Sequence, residues 1–262
     1  MQNTIIYKNI NINFSSTGKG KVIVLLHGFL EDISMWKDII PELEKKNRVI
    51  TIDLLGHGKT PCLGYIHTMD EQAKMVHVVL KKLRLLKYML IGHSMGGYVA
   101  LAYAKLFPKP VKGLCLLNST FIADDNEKQR LRLRANKMAQ DNFKNIVRLS
   151  FTNLFSESSR IAFKEEINDA LQIALKTPVQ GYIAAQEGMR VRKDFTKAFA
   201  KIKIKKAIIL GEKDTLIDPE MMFCFAQEHQ IDFHLLSEGH MSHIENKDSL
   251  LLVLKKVVTS IK

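Results

Sequence analysis

The sequence predicts an α/β protein whose core is a mostly parallel, doubly wound sheet. The first observation is a series of continuous apolar runs, typical of strands buried on both faces, at residues 21–26, 48–53, 88–92 and 111–118. The second is that helical segments separate these runs, so that strand and helix alternate along the chain. In such a fold, functional groups are expected at the carboxyl ends of the strands.

The remaining elements complete an eight-stranded sheet with flanking helices. Residues 4–14 alternate partly between apolar and polar side chains, which predicts one or two antiparallel strands at one edge. Two further strands are expected at 205–210 and 232–236. Helices are expected at 33–44, 69–86, 95–107, 219–229 and 247–261, the last one turning Ile261 toward the sheet.

A long segment interrupts this alternation after the sixth strand. It contains no convincing strand and predicts helices at 125–140, 142–152, 157–176, 178–190 and 194–200. A crossover needs only about a dozen residues, so a separate helical cap is favoured over an ordinary long connection. The predicted organisation is a core domain at 1–119 and 201–262, with a cap at 120–200.

The composition favours a soluble cytoplasmic protein of 262 residues. The start of the chain lacks a basic region followed by an apolar stretch, and no run approaches the roughly 18 apolar residues of a membrane span. The three cysteines are far apart, which fits neither a disulfide framework nor a metal site. The net charge of +12 comes without a compact basic block, so no nucleic-acid partner is expected. No metal or cofactor is expected, and the chain is expected to be a monomer or a homodimer.

The most informative motif is G-H-S-M-G at residues 92–96, between an apolar strand and a helix of small residues. In that setting, G-x-S-x-G holds a serine in a strained turn with its hydroxyl exposed at the helix N-terminus. Gly92 and Gly96 are expected where a β-carbon would collide with the neighbouring strand and helix. The motif alone also fits a chance β–α turn, so the rest of the chain decides whether Ser94 is a nucleophile.

Two residues that follow later strands complete a catalytic pattern. A serine needs a base to take its proton and an acid to orient that base. The order Ser94, Asp214, His240 is the one associated with such a turn, and each residue lies just beyond a predicted strand end. Asp218 and His243 compete for the two later roles. Asp218 precedes a proline and looks more like a helix cap, and His243 lies a turn beyond the strand end.

An oxyanion formed during acyl transfer needs two donors that are fixed in advance. The backbone N–H of Met95, directly after the serine, is one predicted donor, and the N–H of Phe29 is the other. Gly28 lets that second turn bend inward. The other histidines near strand ends are interpreted as structural, namely His27, His57 and His93.

Several stretches together carry a family resemblance, namely His27-Gly28-Phe29 and residues 53–60, 92–97, 211–214 and 239–246. With these, the chain resembles enzymes of the α/β-hydrolase fold over nearly its whole length. The resemblance implies a capped, cofactor-free serine hydrolase of the esterase, lipase-like or carbon–carbon hydrolase group. Some stretches also resemble the MenH-like branch, whose members eliminate pyruvate. Relatives that cleave epoxides or carbon–halogen bonds have Asp in place of Ser94, which argues against both activities.

The expected function is hydrolysis of a small carboxylic ester, thioester or lactone through an acyl-enzyme. Whether that substrate also carries an anionic group stays open. One alternative is a carbon–carbon hydrolase or MenH-like lyase that uses the same three residues. Others are a cofactor-free perhydrolase or haloperoxidase, and a non-catalytic ligand-binding protein of the same fold.

The cap is expected to shape the substrate pocket. The candidate pocket residues are Leu30, Phe121, Phe143, Tyr182 and Met189, and the further candidates in the cap are Met138, Phe151 and Phe155. Each of them also fits simple packing of the cap on the core. One or two arginines of the cap could bind a carboxylate, although such residues more often form a solvated helix face. The candidate arginines are Arg130, Arg132, Arg134, Arg148, Arg190 and Arg192.

Overall fold

A computed structural model describes residues 2–260, except for the side chain of Gln2. It contains one eight-stranded sheet in the order β1-β2-β4-β3-β5-β6-β7-β8, which confirms the predicted fold class. The predicted position of Ile261 lies outside the described residues. The strands are β1 (Gln2–Tyr7), β2 (Ile10–Thr17), β3 (Lys21–Leu26), β4 (Asn47–Ile52), β5 (Tyr88–His93), β6 (Val111–Leu117), β7 (Lys205–Gly211) and β8 (Asp232–Leu236).

Strands β3 to β8 are parallel, and β1 and β2 are antiparallel at one edge. The chain passes from β3 to β4 on one side and then returns to β5 on the other side of β3. Sheets of this kind place their ligand sites outside the carboxyl ends of the strands, at the position where the direction reverses. The ends of β3 and β5 lie at that position.

The helices flank the sheet and fill the long connection after β6. They are α1 (Ile40–Leu43), α2 (Met69–Lys82), α3 (Met95–Leu106), α4 (Asn126–Thr152), α5 (Glu157–Ala162), α6 (Lys164–Ala174), α7 (Val179–Arg190), α8 (Thr196–Lys201), α9 (Pro219–Glu228), α10 (Ser242–Glu245) and α11 (Lys247–Thr259). Among residues 2–260, no helix combines the length and apolar character that crossing a membrane requires.

Four predicted helices differ from the observed ones. The helix expected at 33–44 is a 3-10 turn at Ile33–Trp36 followed by the single turn α1, because Pro41 lacks the N–H that a continuous helix needs. The helices expected at 125–140 and 142–152 form one helix, α4, with a kink at Asn142 (φ −142°, ψ 48°). The helix expected at 157–176 is divided at Phe163, whose ψ of 36° ends α5.

The core forms two apolar layers, one on each face of the sheet. Alternate residues of β3 enter opposite layers, since successive side chains of a strand point to opposite faces. Val24 packs with α2 and α3 on one face. Ile23 packs with Trp36 and with Leu250 of α11 on the other face.

The helical insertion, defined as α4 to α8, packs against the carboxyl edge of the sheet. A third apolar cluster joins Val147, Phe151 and Tyr182 of the insertion to Leu30 and Met241, which lie in loops of the sheet core. The insertion therefore lies against the loops that follow β3 and β8. The division into a core domain and a cap at 120–200 stays a prediction.

We predict that Leu114 contributes strongly to stability, because it is fully buried in the central strand β6. Leu114→Ala should lower the free energy of unfolding by about 2–5 kcal/mol, since it leaves a cavity that the surroundings fill only partly. Urea unfolding measures this change. The control is Leu235→Ala in the edge strand β8, where the side chain is 50% exposed, and it should cost about 1 kcal/mol or less. Equal losses in the two variants would contradict the prediction.

Candidate active site

Ser94 occupies a one-residue turn between β5 and α3. Its backbone lies at φ 47° and ψ −115°, a conformation that costs about 1–3 kcal/mol for a residue with a side chain. The approach is close because a β-carbon on Gly92 would lie 2.3 Å from the carbonyl oxygen of Gly96. A β-carbon on Gly96 would lie 2.3 Å from the carbonyl oxygen of Leu26 in β3. The two glycines therefore let α3 begin directly after the half-buried serine.

Hydrogen bonds connect Ser94 to His240 and Asp214. Asp214 follows β7 and His240 follows β8, so the parallel sheet brings both to the same edge as Ser94. The distance from Asp214 Oδ2 to His240 Nδ1 is 2.8 Å, and that from His240 Nε2 to Ser94 Oγ is 2.9 Å. Because a carboxylate only accepts, Nδ1–H donates to Asp214 and Nε2 accepts from the serine hydroxyl. The imidazole can therefore remove the hydroxyl proton.

The buried carboxylate of Asp214 is surrounded by donors. Its Oδ1 accepts the N–H of Leu216 at 2.9 Å and that of Ile217 at 3.2 Å, and its Oδ2 accepts from Asn118 Nδ2 at 3.1 Å. Burial alone would raise the pKa of Asp214, but the neighbouring His240 and these hydrogen bonds hold the pKa below its ordinary value. Asp214 is therefore ionised at neutral pH.

Asn118 is a residue of this site that the sequence analysis did not single out. It follows β6 directly, in the left-handed backbone region (φ 42°). Its Nδ2 also lies 3.3 Å from the carbonyl oxygen of Gly239. The same amide thus contacts Asp214 and the residue that precedes His240. The sequence signal that could have identified Asn118 was its position as a polar residue at the end of a buried strand.

The two competing residues of the sequence analysis lie elsewhere. Asp218 accepts two backbone N–H groups, at 3.0 and 3.2 Å, and so caps the N-terminus of α9. His243 Nε2 lies 3.5 Å from Glu31 Oε1. The geometry therefore favours Asp214 and His240 over these alternatives.

The turn after β3 is anchored by the side chain of Glu31. The N–H of Gly28 donates to Glu31 Oε2 at 2.7 Å, and Leu30 continues the turn with a positive φ of 65°. Because Glu31 occupies the N–H of Gly28, the N–H of Phe29 is the next donor in the turn. The N–H of Met95 belongs to the first turn of α3, where N–H groups have no partner within the helix.

A buried ion pair connects this turn to the loop of His240. His93 Nδ1 lies 2.7 Å from Glu31 Oε2, and His93 Nε2 lies 3.0 Å from the carbonyl oxygen of His240. Both partners are acceptors, so His93 carries two N–H groups and a positive charge. Burial opposes both charges, yet each residue stabilises the other. His93 and Glu31 together hold the pKa of His93 above its ordinary value and that of Glu31 at about 2.

The histidines that were interpreted as structural contact backbone groups. The N–H of Leu54 donates to His27 Nε2 at 2.8 Å, and His57 Nδ1 donates to the carbonyl oxygen of Leu55 at 3.0 Å. His93 combines such a contact with the ion pair to Glu31, a buried acid that the sequence analysis did not single out. A lone glutamate in a turn has no periodicity or spacing that would have identified it.

One group of potential metal ligands occurs among residues 2–260, and it comprises Glu31, His93 and His243. Their ligand atoms lie within 4.8 Å of one another. Both ring nitrogens of His93 are engaged in hydrogen bonds, so this histidine has no free ligand atom. The group is an ion-pair network rather than a complete metal site.

The predicted pocket residues separate into two groups. Leu30, Phe143 and Tyr182 belong to the cluster between the insertion and the core, together with Phe151 and Phe155. The ring of Tyr182 lies 5.0 Å from that of Phe29 and 5.6 Å from that of Phe143.

Phe121 and Met189 pack instead in the layer that contains α2 and α3. The ring of Phe121 lies 4.1 Å from that of Phe225. Met138 is 48% exposed on α4. The structure therefore does not bring these three side chains into the cluster around Tyr182.

Three arginines of the insertion form ion pairs with nearby acids. Arg132 and Arg192 contact the two carboxylate oxygens of Asp124 at 2.5 and 2.7 Å, and Arg190 contacts Glu187 at 2.6 Å. The remaining three are exposed, namely Arg130, Arg134 and Arg148.

Comparison with known proteins agrees with this architecture. The family model of the alpha/beta hydrolase fold matches residues 21–247, and the chain belongs to this family. The dihydrolipoyllysine-residue acetyltransferase component of the acetoin cleaving system of Pseudomonas putida is 30% identical over 203 residues, which are 76% of this chain and 53% of that relative. The 2-hydroxy-6-oxo-6-(2'-aminophenyl)hexa-2,4-dienoic acid hydrolase of Metapseudomonas resinovorans is 32% identical over 42% of this chain and 39% of that relative. The matched region thus spans about half or less of these relatives.

Two solved structures match almost the whole chain. A thermophilic esterase from Thermogutta terrifontis has a TM-score of 0.93 and 28% identity, and the match covers 99% of this chain and 98% of that one. The enol-lactonase of Burkholderia xenovorans LB400 has a TM-score of 0.91 and 19% identity over 98% and 100% of the two chains. The second likeness concerns the fold alone.

We predict that removal of the buried Glu31 charge destabilises the fold in a pH-dependent manner. Glu31→Gln should lower the free energy of unfolding at pH 7 by about 3 kcal/mol, because it leaves the charge of His93 buried without its partner. The pKa of Glu31 is lowered from 4.5 to about 2 in the folded protein. Its ionised form therefore stabilises the protein above pH 4.5, and this stabilisation is lost as the pH falls toward 2.

Urea unfolding at several pH values tests this prediction. The difference between the original protein and Glu31→Gln should shrink steadily below pH 4.5. The control is Glu228→Gln, where the side chain is 74% exposed, and its effect should stay within about 0.5 kcal/mol at every pH. A difference for Glu31→Gln that does not change with pH would contradict the assignment of the ion pair.

Proposed function

We propose that this protein is a serine hydrolase that cleaves a small carboxylic ester, thioester or lactone through an acyl-enzyme on Ser94. The observation that carries the proposal is the hydrogen-bonded series of Ser94, His240 and Asp214, at 2.9 and 2.8 Å. A serine hydroxyl is a weak nucleophile near neutral pH, and a base oriented by a buried acid activates it.

In the proposed reaction, His240 Nε2 takes the hydroxyl proton while Ser94 Oγ attacks the carbonyl carbon. Asp214 stabilises the imidazolium, and the N–H groups of Phe29 and Met95 donate to the oxyanion. The imidazolium then gives its proton to the leaving oxygen, and the carbon–oxygen bond breaks. Water, deprotonated by His240, attacks the acyl-enzyme. The acid leaves, and Ser94 recovers its proton.

The surroundings of the proposed oxyanion donors support this mechanism. Glu31 accepts the N–H of Gly28, the residue before Phe29, and so holds the turn in place. Preorganised donors of this kind stabilise developing charge without reorganisation during the reaction. One donor removed from such a site typically costs a factor of roughly 10²–10³ in rate.

The helical insertion supplies the features that favour an uncharged acyl group. Tyr182, Phe143 and Leu30 form apolar surface beside Phe29. Three arginines of the insertion are already paired with Asp124 and with Glu187. We propose that the insertion acts as a cap whose apolar face contacts the acyl chain. The similarity to the Thermogutta terrifontis esterase supports an ester as the substrate class.

We predict that Ser94→Ala abolishes ester hydrolysis without unfolding the protein. The kcat for p-nitrophenyl butyrate should fall by roughly 10³-fold or more, because the nucleophile is lost. A fluorophosphonate probe should label the original protein once and fail to label the variant. Circular dichroism checks the fold.

The matched control is Ser150→Ala, which changes an exposed serine on α4 and should leave turnover and labelling unchanged. Hydrolysis at the original rate by Ser94→Ala would refute the proposal. Labelling that persists in this variant would do the same.

A carbon–carbon hydrolase is the second candidate, and the observation in its favour is the similarity to the Metapseudomonas resinovorans dienoic acid hydrolase. The same three side chains would then act on a ketone carbonyl in place of an ester carbonyl. We predict that kcat/KM for a panel of p-nitrophenyl esters exceeds that for a 2-hydroxy-6-oxo-dienoate by about tenfold or more. Product formation measured by absorbance compares the two, and the reverse preference would favour the second candidate.

A further inference from the structure

The loop that carries His240 is held by backbone hydrogen bonds on both sides of that residue. The N–H of His240 donates to the carbonyl oxygen of Leu154 in the helical insertion at 3.1 Å. Its carbonyl oxygen accepts from His93 Nε2 at 3.0 Å. The next N–H of the loop, that of Met241, donates to Glu245 Oε2 at 2.9 Å. The position of the imidazole therefore depends on the groups that hold the two peptides beside it.

Glu245 joins this loop to the insertion through both of its carboxylate oxygens. It is the last residue of α10 and is only 5% exposed. Whereas Oε2 accepts the N–H of Met241, Oε1 accepts the N–H of Ser156 at the start of α5, at 2.9 Å. A carboxylate accepts on both oxygens at once, but the amide of a glutamine accepts on one only. A glutamate therefore fits this position in a way that a glutamine of the same size does not.

The backbone beside this carboxylate leaves it little freedom to move. A β-carbon on Gly239, the residue before His240, would lie 3.0 Å from both carboxylate oxygens of Glu245. It would also lie 3.0 Å from the backbone nitrogen of Ser156. Glu245 therefore packs against the backbone that leads into His240 and accepts from the N–H of the residue that follows it.

We propose that Glu245 is a positioning residue that holds His240 in line with Ser94 and Asp214. This inference rests on the proposed function, and it adds a residue that acts on the reaction through His240. The imidazole must lie within hydrogen-bonding distance of Ser94 and Asp214 at the same time, and a displacement of about 1 Å in such a site costs a factor of roughly 10² in rate. Because Glu245 holds one N–H of the loop and one of the insertion, it also links the position of the insertion to that of the base.

Steady-state hydrolysis of p-nitrophenyl butyrate by Glu245→Gln tests this role. The variant keeps the size of the side chain, but its amide nitrogen faces one of the two N–H donors. We expect kcat to fall by roughly tenfold to 10²-fold, and KM to change by less than about twofold, because the interaction acts on the base rather than on bound substrate. An unchanged kcat in this variant would overturn the proposal.

Glu245→Asp is a milder change that separates the hydrogen bonds from the charge. It keeps the carboxylate but shortens the side chain, so that the two N–H groups are no longer both within reach. We expect kcat to fall by about threefold to tenfold, and this variant carries the test if Glu245→Gln does not fold. The original kcat in Glu245→Asp would show that a negative charge alone suffices and would overturn the proposal.

Glu238→Gln is the matched control. Glu238 precedes His240 by two residues and also joins the loop to the insertion, through the hydroxyl groups of Ser156 and Ser158 at 2.6 and 3.0 Å. Hydroxyl groups donate or accept, so an amide fits among them, and kcat should stay within about twofold of the original value. Equal losses of kcat in Glu238→Gln and Glu245→Gln would assign the effect to the packing of the insertion and would contradict a specific role of Glu245.

Proton NMR gives a readout that does not require turnover. The proton on His240 Nδ1 lies in the hydrogen bond to Asp214, and its resonance is identified by its absence from His240→Gln. In Glu245→Gln this proton should exchange with water about tenfold faster, while circular dichroism shows the same fold. An unchanged exchange rate would count against the proposal. If the original protein neither hydrolyses the ester nor reacts with a fluorophosphonate, the proposed function fails, but this exchange rate still decides whether Glu245 positions His240.

Discussion

The close approach of three backbone segments at Ser94 is the constraint on which the proposed site depends. Gly92 and Gly96 have no β-carbon, so α3 starts directly after β5 and lies against the end of β3. At this position Ser94 Oγ lies 2.9 Å from His240 Nε2. The strained backbone of Ser94 persists because the strands around it are fully buried and cannot relax.

A parallel sheet aligns the ends of its strands, but it does not fix the loops that follow them. In this protein, buried polar side chains perform that second task. Glu31 holds the turn after β3, His93 connects that carboxylate to the backbone of His240, and Asn118 connects Asp214 to the same loop. Each of these groups is hidden from water, so its hydrogen bonds are strong and their loss is costly.

The sequence predicted the sheet well because buried parallel strands leave continuous apolar runs, and the eight strands are observed. The positions of Ser94, Asp214 and His240 could be predicted for the same reason, since each follows a strand end. The structure brings these side chains within hydrogen-bonding distance, and their catalytic roles stay a prediction. The helices were less predictable where a single residue such as Pro41 or Asn142 changes their geometry.

The pocket shows where sequence reasoning reached its limit. Aromatic and methionine side chains of the insertion all predict burial, but their pattern does not indicate which layer each of them enters. Tyr182 and Phe143 pack beside Phe29, whereas Phe121 and Met189 belong to the layer that contains α2 and α3. The orientation of each helix decides which layer its side chains enter. The long insertion has no regular sequence repeat from which that orientation could be predicted.

The sequence by itself determined the fold class, the turn at Ser94 and the positions of Asp214 and His240 after later strands. These features depend on local periodicity, on glycine geometry and on the fact that parallel strands end at a common edge. Only the tertiary structure decided the pairing of Glu31 with His93, the role of Asn118 and the contact of Glu245 with the insertion. Those features arise between segments distant along the chain, where burial of charge and the packing of helices determine which side chains meet.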